Sequence, residues 1–387
     1  MADAHHDFGN TQAALKHATE AVEICQQLDK LGVPTYILHL AEDLDRVVTY
    51  LYGSGQLKEA MSYCYEGVEA WRKLVTLHNL EKHAPQFAEA LDRISTFPFD
   101  SHHASGVFST GSHSYETERM KCQREAVDVW RRLATQDPSK YLHPLAQALN
   151  RLADSLFRSN DLPSTINCQL EAFSIWRKLA GQDIKKYGDT LTLTLHGMAE
   201  TYLRLGGSGE AIKCRIEAVD FWRNAAAQNP DKYYRRLASL LEEMADWASQ
   251  RRLHTMVIEY RLEAVNIWRK LAAEDMDEYA DHLTYAFQKM ADSNLQLCDP
   301  AAAIKCQTEA VDFWRSAAAQ NPDKYYRRLA SLLEEMADWA SERRLHTTAI
   351  EYRLEAANIW RKLTAESIDE YIDHLTYGLH EMADSYL

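Results

Sequence analysis

The sequence predicts an all-α protein, a right-handed α-solenoid superhelix of about eight antiparallel helix pairs. Three observations carry that prediction. Trp71, Trp130, Trp176, Trp222, Trp268, Trp314 and Trp360 form a ruler whose marks, from Trp130 onward, stand 46 residues apart. A fixed period of this size marks stacked repeats, and it overrides the two or three globular domains that 387 residues otherwise suggest. Between the marks, apolar residues recur three and four apart, the period of one helix face. Only 14 Gly and 9 Pro interrupt the chain, as a mostly helical protein requires.

The elements of one repeat follow in order. Tyr187, Leu191, Leu195, Met198, Ala199 and Tyr202 share one side of a first helix. Gly206-Gly207 ends it, because glycine adopts the left-handed conformation at a helix end without a Cβ penalty. Ala211, Ile212, Cys214, Ala218, Val219 and Trp222 then define the second helix. Ala199, Ala211 and Ala218 are small where two helices approach closely. Asp137-Pro138, Asn229-Pro230 and Asn321-Pro322 each read as the start of the next first helix, a capping side chain followed by Pro at the first helical position. A Tyr follows each ruler mark from Trp130 onward at one fixed spacing: Tyr141, Tyr187, Tyr233, Tyr279, Tyr325 and Tyr371. Each is expected to stack on its Trp. Cys122, Cys168, Cys214 and Cys306 lie eight residues before a ruler Trp, where Tyr260 and Tyr352 stand in other repeats. Cys alternating with Tyr predicts a packed position, with free thiols rather than disulfides or metal ligands.

On these residues the chain resembles the tetratricopeptide repeat. The matching run is Leu195, Met198-Ala199, Tyr202, Gly206, Glu210-Ala211-Ile212 and Ala218, and it returns at Gly55 and Glu59-Ala60-Met61. The fit is looser at Ser164-Thr165-Ile166, where the Glu-Ala pair is lost. That family's usual unit is shorter, at about 34 residues. A 46-residue unit is therefore the long variety, similar to arrays in fungal and bacterial multi-repeat proteins. The extra residues fall between each Trp and the next first helix, and the caps there predict that they lengthen both helices instead of adding a loop.

Three segments are expected. Residues 1–96 hold N-terminal repeats, with Cys25 taking the first mark 46 residues before Trp71. The gap from Trp71 to Trp130 is longer than one period, and the excess is assigned to a Ser/His/Gly-rich exposed loop over 97–118. Residues 119–387 hold the regular repeats, and within 217–387 the duplicated unit is a pair: Asn229–Ser249 recurs unchanged as Asn321–Ser341. The sequence ends on a first helix with an ordinary internal pattern. Either this helix is the solvated cap of the array or, as its internal pattern favours, it belongs to a longer array or mediates self-association into a homo-oligomer.

Composition excludes several function classes. A net charge of −14 argues against a general nucleic-acid binder. No apolar run approaches the length needed to span a bilayer, and the polar N-terminus lacks a signal-peptide core, so a cytoplasmic or nuclear protein is expected. No phosphate-binding glycine loop, Cys-x-x-Cys or His-Glu-x-x-His is present, and no cofactor or metal is expected. His5-His6 and His102-His103 predict no defined metal site. Glu242 and Glu243 are adjacent on a helix and diverge by about 100°, which disqualifies them as an acid–base pair. An enzyme is not expected.

What remains is a scaffold that binds a protein or peptide. In the resembled family the first helices line the concave face. That register assigns to the face Asn150, Arg151 and Asp154; His196, Glu200 and Arg204; Glu242, Glu243 and Asp246; Tyr285, Lys289 and Asp292; and Glu334, Glu335 and Asp338. Gln147, Leu193, Ser239, Ser331 and Tyr377 fall on the same face, at the position held by Tyr285. Acids accumulate toward the C-terminus. Two readings stay open: the acids form a groove for a Lys/Arg-rich segment, or they pair with Arg and Lys of neighbouring repeats. Arg235-Arg236 and Arg251-Arg252, repeated as Arg327-Arg328 and Arg343-Arg344, supply such partners. Asn150 with Arg151 is only a fragment of a carboxylate clamp, so a C-terminal carboxylate is not the expected ligand. The alternative to a free scaffold is the sensor array of a larger nucleotide-binding switch protein of the STAND type.

Overall fold

A computed structural model describes residues 11–30, 36–77, 81–96, 111–366 and 368–385. Among them the secondary structure is entirely helical. The chain divides into two compact units, Met1–Ala218 and Val219–Leu387. The first contains α1 (Thr11–Lys30), α2 (Ile37–Gly53), α3 (Leu57–Leu77), α4 (Ala84–Thr96), α5 (Gly111–Gln136), α6 (Pro138–Arg158), α7 (Leu162–Gln182) and α8 (Ile184–Arg204). The dividing point falls inside α9 (Ser208–Gln228). The second unit continues with α10 (Pro230–Gln250), α11 (His254–Glu274), α12 (Met276–Gln296), α13 (Pro300–Gln320), α14 (Pro322–Glu342), α15 (His346–Glu366) and α16 (Ile368–Ser385). Within each unit a helix packs on its predecessor and its successor, the nearest-neighbour arrangement of a solenoid.

The period is written into the helices. The first helices α6, α8, α10, α12 and α14 are each 21 residues long, as are the second helices α7, α9, α11, α13 and α15. The long unit therefore lengthens both helices, as its caps predict. Asp137, Asn229 and Asn321 each accept a hydrogen bond from the backbone N–H three residues on, with Pro following the cap. Asp183 and Asp275 cap their helices in the same way without a Pro.

All seven ruler Trp are buried. Each Trp from Trp130 onward meets the Tyr that follows it in register, with ring centroids from 5.9 Å apart for Trp176–Tyr187 to 6.1 Å for Trp268–Tyr279. Where Lys82 replaces the Tyr, His83 takes its place, 6.0 Å from Trp71. Cys122, Cys214, Cys306, Tyr260 and Tyr352 are buried in their shared register, and Cys168 is half-buried. Desolvation pushes the thiols up, to about 12 for Cys122 and about 11 for Cys214, so they stay protonated and inert.

Around the ruler the sequence repeats Glu-Ala-x-x-x-Trp-Arg, as at 171–177, 263–269, 309–315 and 355–361, and the spelling has a physical cause. The Ala points inward: Ala172, Ala264, Ala310 and Ala356 are buried. The Glu beside it pairs with the Arg of the preceding repeat. Arg131 reaches Glu171 at 2.8 Å, Arg177 reaches Glu217 at 3.4 Å, Arg269 reaches Glu309 at 2.7 Å, and Arg223 holds Glu263 through two nitrogens. Planar guanidinium forks suit this bidentate grip. Within each unit the motif is a ladder that ties one second helix to the next.

Two features differ from the sequence reading. Helix α5 begins at Gly111, so residues 111–118 are helical and not the end of a loop; residues 97–110 lie outside the described residues, as do both His-His pairs. After Gly111 the sequence holds no further Gly or Pro before α5 packs, and a helix propagates cheaply from a packed segment.

The second concerns the turn between paired helices, which needs one left-handed residue. Gly55 (φ 76°) and Gly206 (φ 81°) meet that need freely. The equivalent residues are Asn160, Arg252, Cys298 and Arg344, with φ of 56–63°. A left-handed side-chain-bearing residue costs about 1–2 kcal/mol, partly offset by the entropy of an unfolded glycine. The triple variant Arg252→Gly, Cys298→Gly, Arg344→Gly is expected to gain about 1–2 kcal/mol in urea unfolding. A lower midpoint would show that these side chains stabilise more than the turn strains.

Candidate functional site

In each unit the residues singled out in the sequence lie on the first helices, and most of their charges already have partners. Glu242 on α10 accepts the indole N–H of Trp268 at 3.0 Å, and Glu334 on α14 accepts that of Trp360 at 2.8 Å. In the first unit Asp45 accepts from Trp71 at 3.1 Å and Asp92 from Trp130 at 2.8 Å. These four acids of the first helices are thus acceptors for Trp71, Trp130, Trp268 and Trp360. A buried indole N–H needs an acceptor, and a half-buried carboxylate supplies a strong one. Thr284 does the same for Trp314 at 2.7 Å, and Asp292 accepts from the off-ruler Trp339 at 3.1 Å.

Burial sets the electrostatics of these acids. Desolvation pushes Glu242 up to about 7; the Trp268 hydrogen bond and Arg261 act against it, and Asp246 adds to it. Desolvation raises Glu334 to about 6, with Asp338 and Glu335 contributing and the Trp360 hydrogen bond opposing. Asp45 and Asp92 are also raised by desolvation, against the pull of Arg93 and Arg151.

Most of the remaining acids pair with arginines. Asp246 binds Arg261, whose side chain is 3% exposed, and Asp338 binds the buried Arg353 at 3.0 Å. Asp292 holds Arg343 at 3.3 Å. Glu335 meets Arg328 at 3.3 Å, and Glu243 meets Arg236 at 3.7 Å. Arg151 binds Asp92 at 2.8 Å, Asn150 donates to Thr194 Oγ1 at 3.5 Å, and the Arg204 guanidinium rests 3.8 Å over Phe157. Asp154 and Glu200 are exposed, and His196 is half-buried. The reading in which the acids pair with neighbouring repeats describes Asp292, whereas Asp246 and Asp338 pair with the second helix of their own repeat.

What the first helices of each unit leave exposed is partly apolar. Leu193, Tyr285 and Tyr377 are exposed, the two tyrosines by 45% and 51%. All three occupy one register, at the same spacing after Trp176, Trp268 and Trp360, and Ser331 holds that register between Tyr285 and Tyr377. The Lys289 ammonium lies 5.3 Å over the Tyr285 ring. Among the described residues no cluster of three or more His, Cys, Asp or Glu is arranged to hold a metal. Among them, too, no helix is long and apolar enough to cross a membrane.

No family model matches the chain, and no curated protein matches it. Solved structures of low identity do. The apo form of RapI is 14% identical over 82% of this chain and 96% of its own, with a TM-score of 0.37. BtubC from P. vanneervenii is 14% identical over 80% and 92%, with a TM-score of 0.31. The Cut9-Hcn1 hetero-tetramer of the APC/C is 14% identical over 98% and 88%, with a TM-score of 0.24. At such scores the backbones correspond too loosely for any role to pass from them to this chain. The repeat architecture rests on its own helices.

Treating the acids only as a surface overlooks their role as Trp acceptors. The signal for that role is nonetheless in the sequence: Asp45, Glu242 and Glu334 each precede a ruler Trp by 26 residues.

Proposed function

We propose that the protein is a non-catalytic scaffold whose first helices bind a protein or peptide partner, with a Lys/Arg-rich segment as the expected ligand. The observation that carries this reading is the exposed row of the second unit, Tyr285 and Tyr377 with Ser331 in the register between them. Exposed tyrosines at a repeated position supply contact area at low entropic cost. Glu243 and Glu335, both exposed, lie on the same helices as Ser239 and Ser331 and are the acids best placed to meet a cation. Their Arg partners hold them only at the surface, where an ion pair is weak and exchangeable. Glu242 and Glu334 serve the Trp ruler and are excluded from the binding set.

The test uses a fluorescein-labelled Lys/Arg-rich peptide and anisotropy. The double variant Glu243→Lys, Glu335→Lys is expected to weaken binding about tenfold, as is Tyr285→Ala with Tyr377→Ala. Affinity should also fall with salt. Binding of the peptide unchanged in both variants would sink the proposal.

A further inference from the structure

The second helices carry a surface of their own. Leu170, Ile216, Leu262 and Leu354 are exposed, and all stand six residues before a ruler Trp. In the second unit Leu262, 48% exposed, borders a groove of about 500 Å³ between α9 and α11. Ala226, Leu237 and Ile267 form its apolar floor. The bidentate Arg223–Glu263 pair makes one wall. At the end of the groove the Lys270 ammonium lies 5.4 Å over the Tyr234 ring, and it forms no ion pair among the described residues. Glu259 lines the other end, about three turns back along α11, about 16 Å at the helical rise and too far to neutralise the lysine.

The arrangement is repeated. Every lining residue returns 92 positions later, from Arg315 to Lys362. The contacts return with them: Lys362 lies 5.6 Å over Tyr326, Arg315 grips Glu355 through two nitrogens, and Leu354 is 45% exposed. Over the same stretch the buried core has drifted, with Val257 and Val265 replaced by Ala349 and Ala357. In the first unit a groove of about 790 Å³ occupies the same register, with Val75, Phe87 and Val129 as apolar lining and Arg132 where Lys270 stands.

We propose that these grooves dock a partner peptide that presents an aliphatic or aromatic side chain beside a carboxylate. The apolar side chain covers Leu262 and the apolar floor, a favourable exchange of water-exposed apolar surface. The carboxylate meets the Lys270 ammonium, which the chain's own acids leave unpaired among the described residues. Two copies in one unit let a partner with two such segments bind more tightly than either segment alone. The ligand is opposite in charge to the one proposed for the first helices, so the two surfaces separate experimentally.

The test is selection of a phage-displayed random peptide library on the full chain, followed by anisotropy with the enriched peptides. Peptides pairing an apolar residue with Asp or Glu are expected. They should bind at least about tenfold more weakly to Leu262→Glu, Leu354→Glu. They should exchange the acidic flank for Lys or Arg when selected on Lys270→Glu, Lys362→Glu, whose fold circular dichroism checks. The proposal is overturned if no peptide is enriched, or if the enriched peptides ignore both variants. It is also overturned if they are Lys/Arg-rich and respond only to Glu243→Lys, Glu335→Lys. A fall in sedimentation mass on Leu262→Glu, Leu354→Glu would overturn it too, by assigning the groove to a second copy of the chain.

Discussion

Trp268→Ala is expected to destabilise the chain by about 4–5 kcal/mol, the upper part of the range for emptying a buried Trp site. Three losses combine at this position. The indole is fully buried, so its removal leaves a large cavity between α10, α11 and α12. Glu242 loses its N–H donor at 3.0 Å while remaining half-buried. The ring also stacks on His282 at 4.6 Å and 11°, and on Tyr279 at 6.1 Å, and aromatic pairs of this kind add about 0.5–1.5 kcal/mol each beyond area burial. In an array each repeat leans only on its neighbours, so the damage should also broaden the transition. Trp268→Phe separates the terms: it keeps most of the packing, loses the N–H, and should cost roughly half as much. Urea unfolding followed by circular dichroism measures both. A loss under about 2 kcal/mol for Trp268→Ala would show that the ruler is not the core of the repeat.

The ruler was legible because its consequences are local in sequence. The Trp–Tyr stack, the Asn-Pro and Asp-Pro starts and the turn at Gly206 each depend on residues within about three helical turns. The acids were harder. On one helix Glu242 looks like any exposed carboxylate, and only the packing of α10 against α11 brings it to the Trp268 indole. The turn at Arg252, Cys298 and Arg344 was hidden for another reason. Tertiary packing imposes a left-handed residue there, and no side chain advertises it. The groove beside Leu262 lies between second helices of successive repeats, so no single helix's periodicity reveals it.

Burial of the acids that meet the ruler also makes stability depend on pH. Glu242 is held at about 7 in the folded chain against an ordinary value of 4.5. The folded state therefore keeps a proton that the unfolded state gives up between those values. Where the native state binds more protons, stability falls as pH rises, so the Glu242 contribution declines from about pH 4.5 to 7 and is level above. Glu334, at about 6, adds a smaller decline over pH 4.5 to 6. Each unit is worth about 1.4 kcal/mol, which caps the Glu242 effect at about 3 kcal/mol; partial solvent access and the nearby Arg261 and Lys289 reduce it. Glu242→Gln keeps an acceptor for Trp268 and removes the charge. It should match the parent near pH 5 and exceed it by about 1–3 kcal/mol at pH 8 in urea midpoints. Adding Glu334→Gln should widen the gap at pH 8 without moving the pH 5 value. A difference that stays constant from pH 5 to pH 8 would mean that Glu242 is charged throughout. The indole would then be held by an ordinary charged carboxylate.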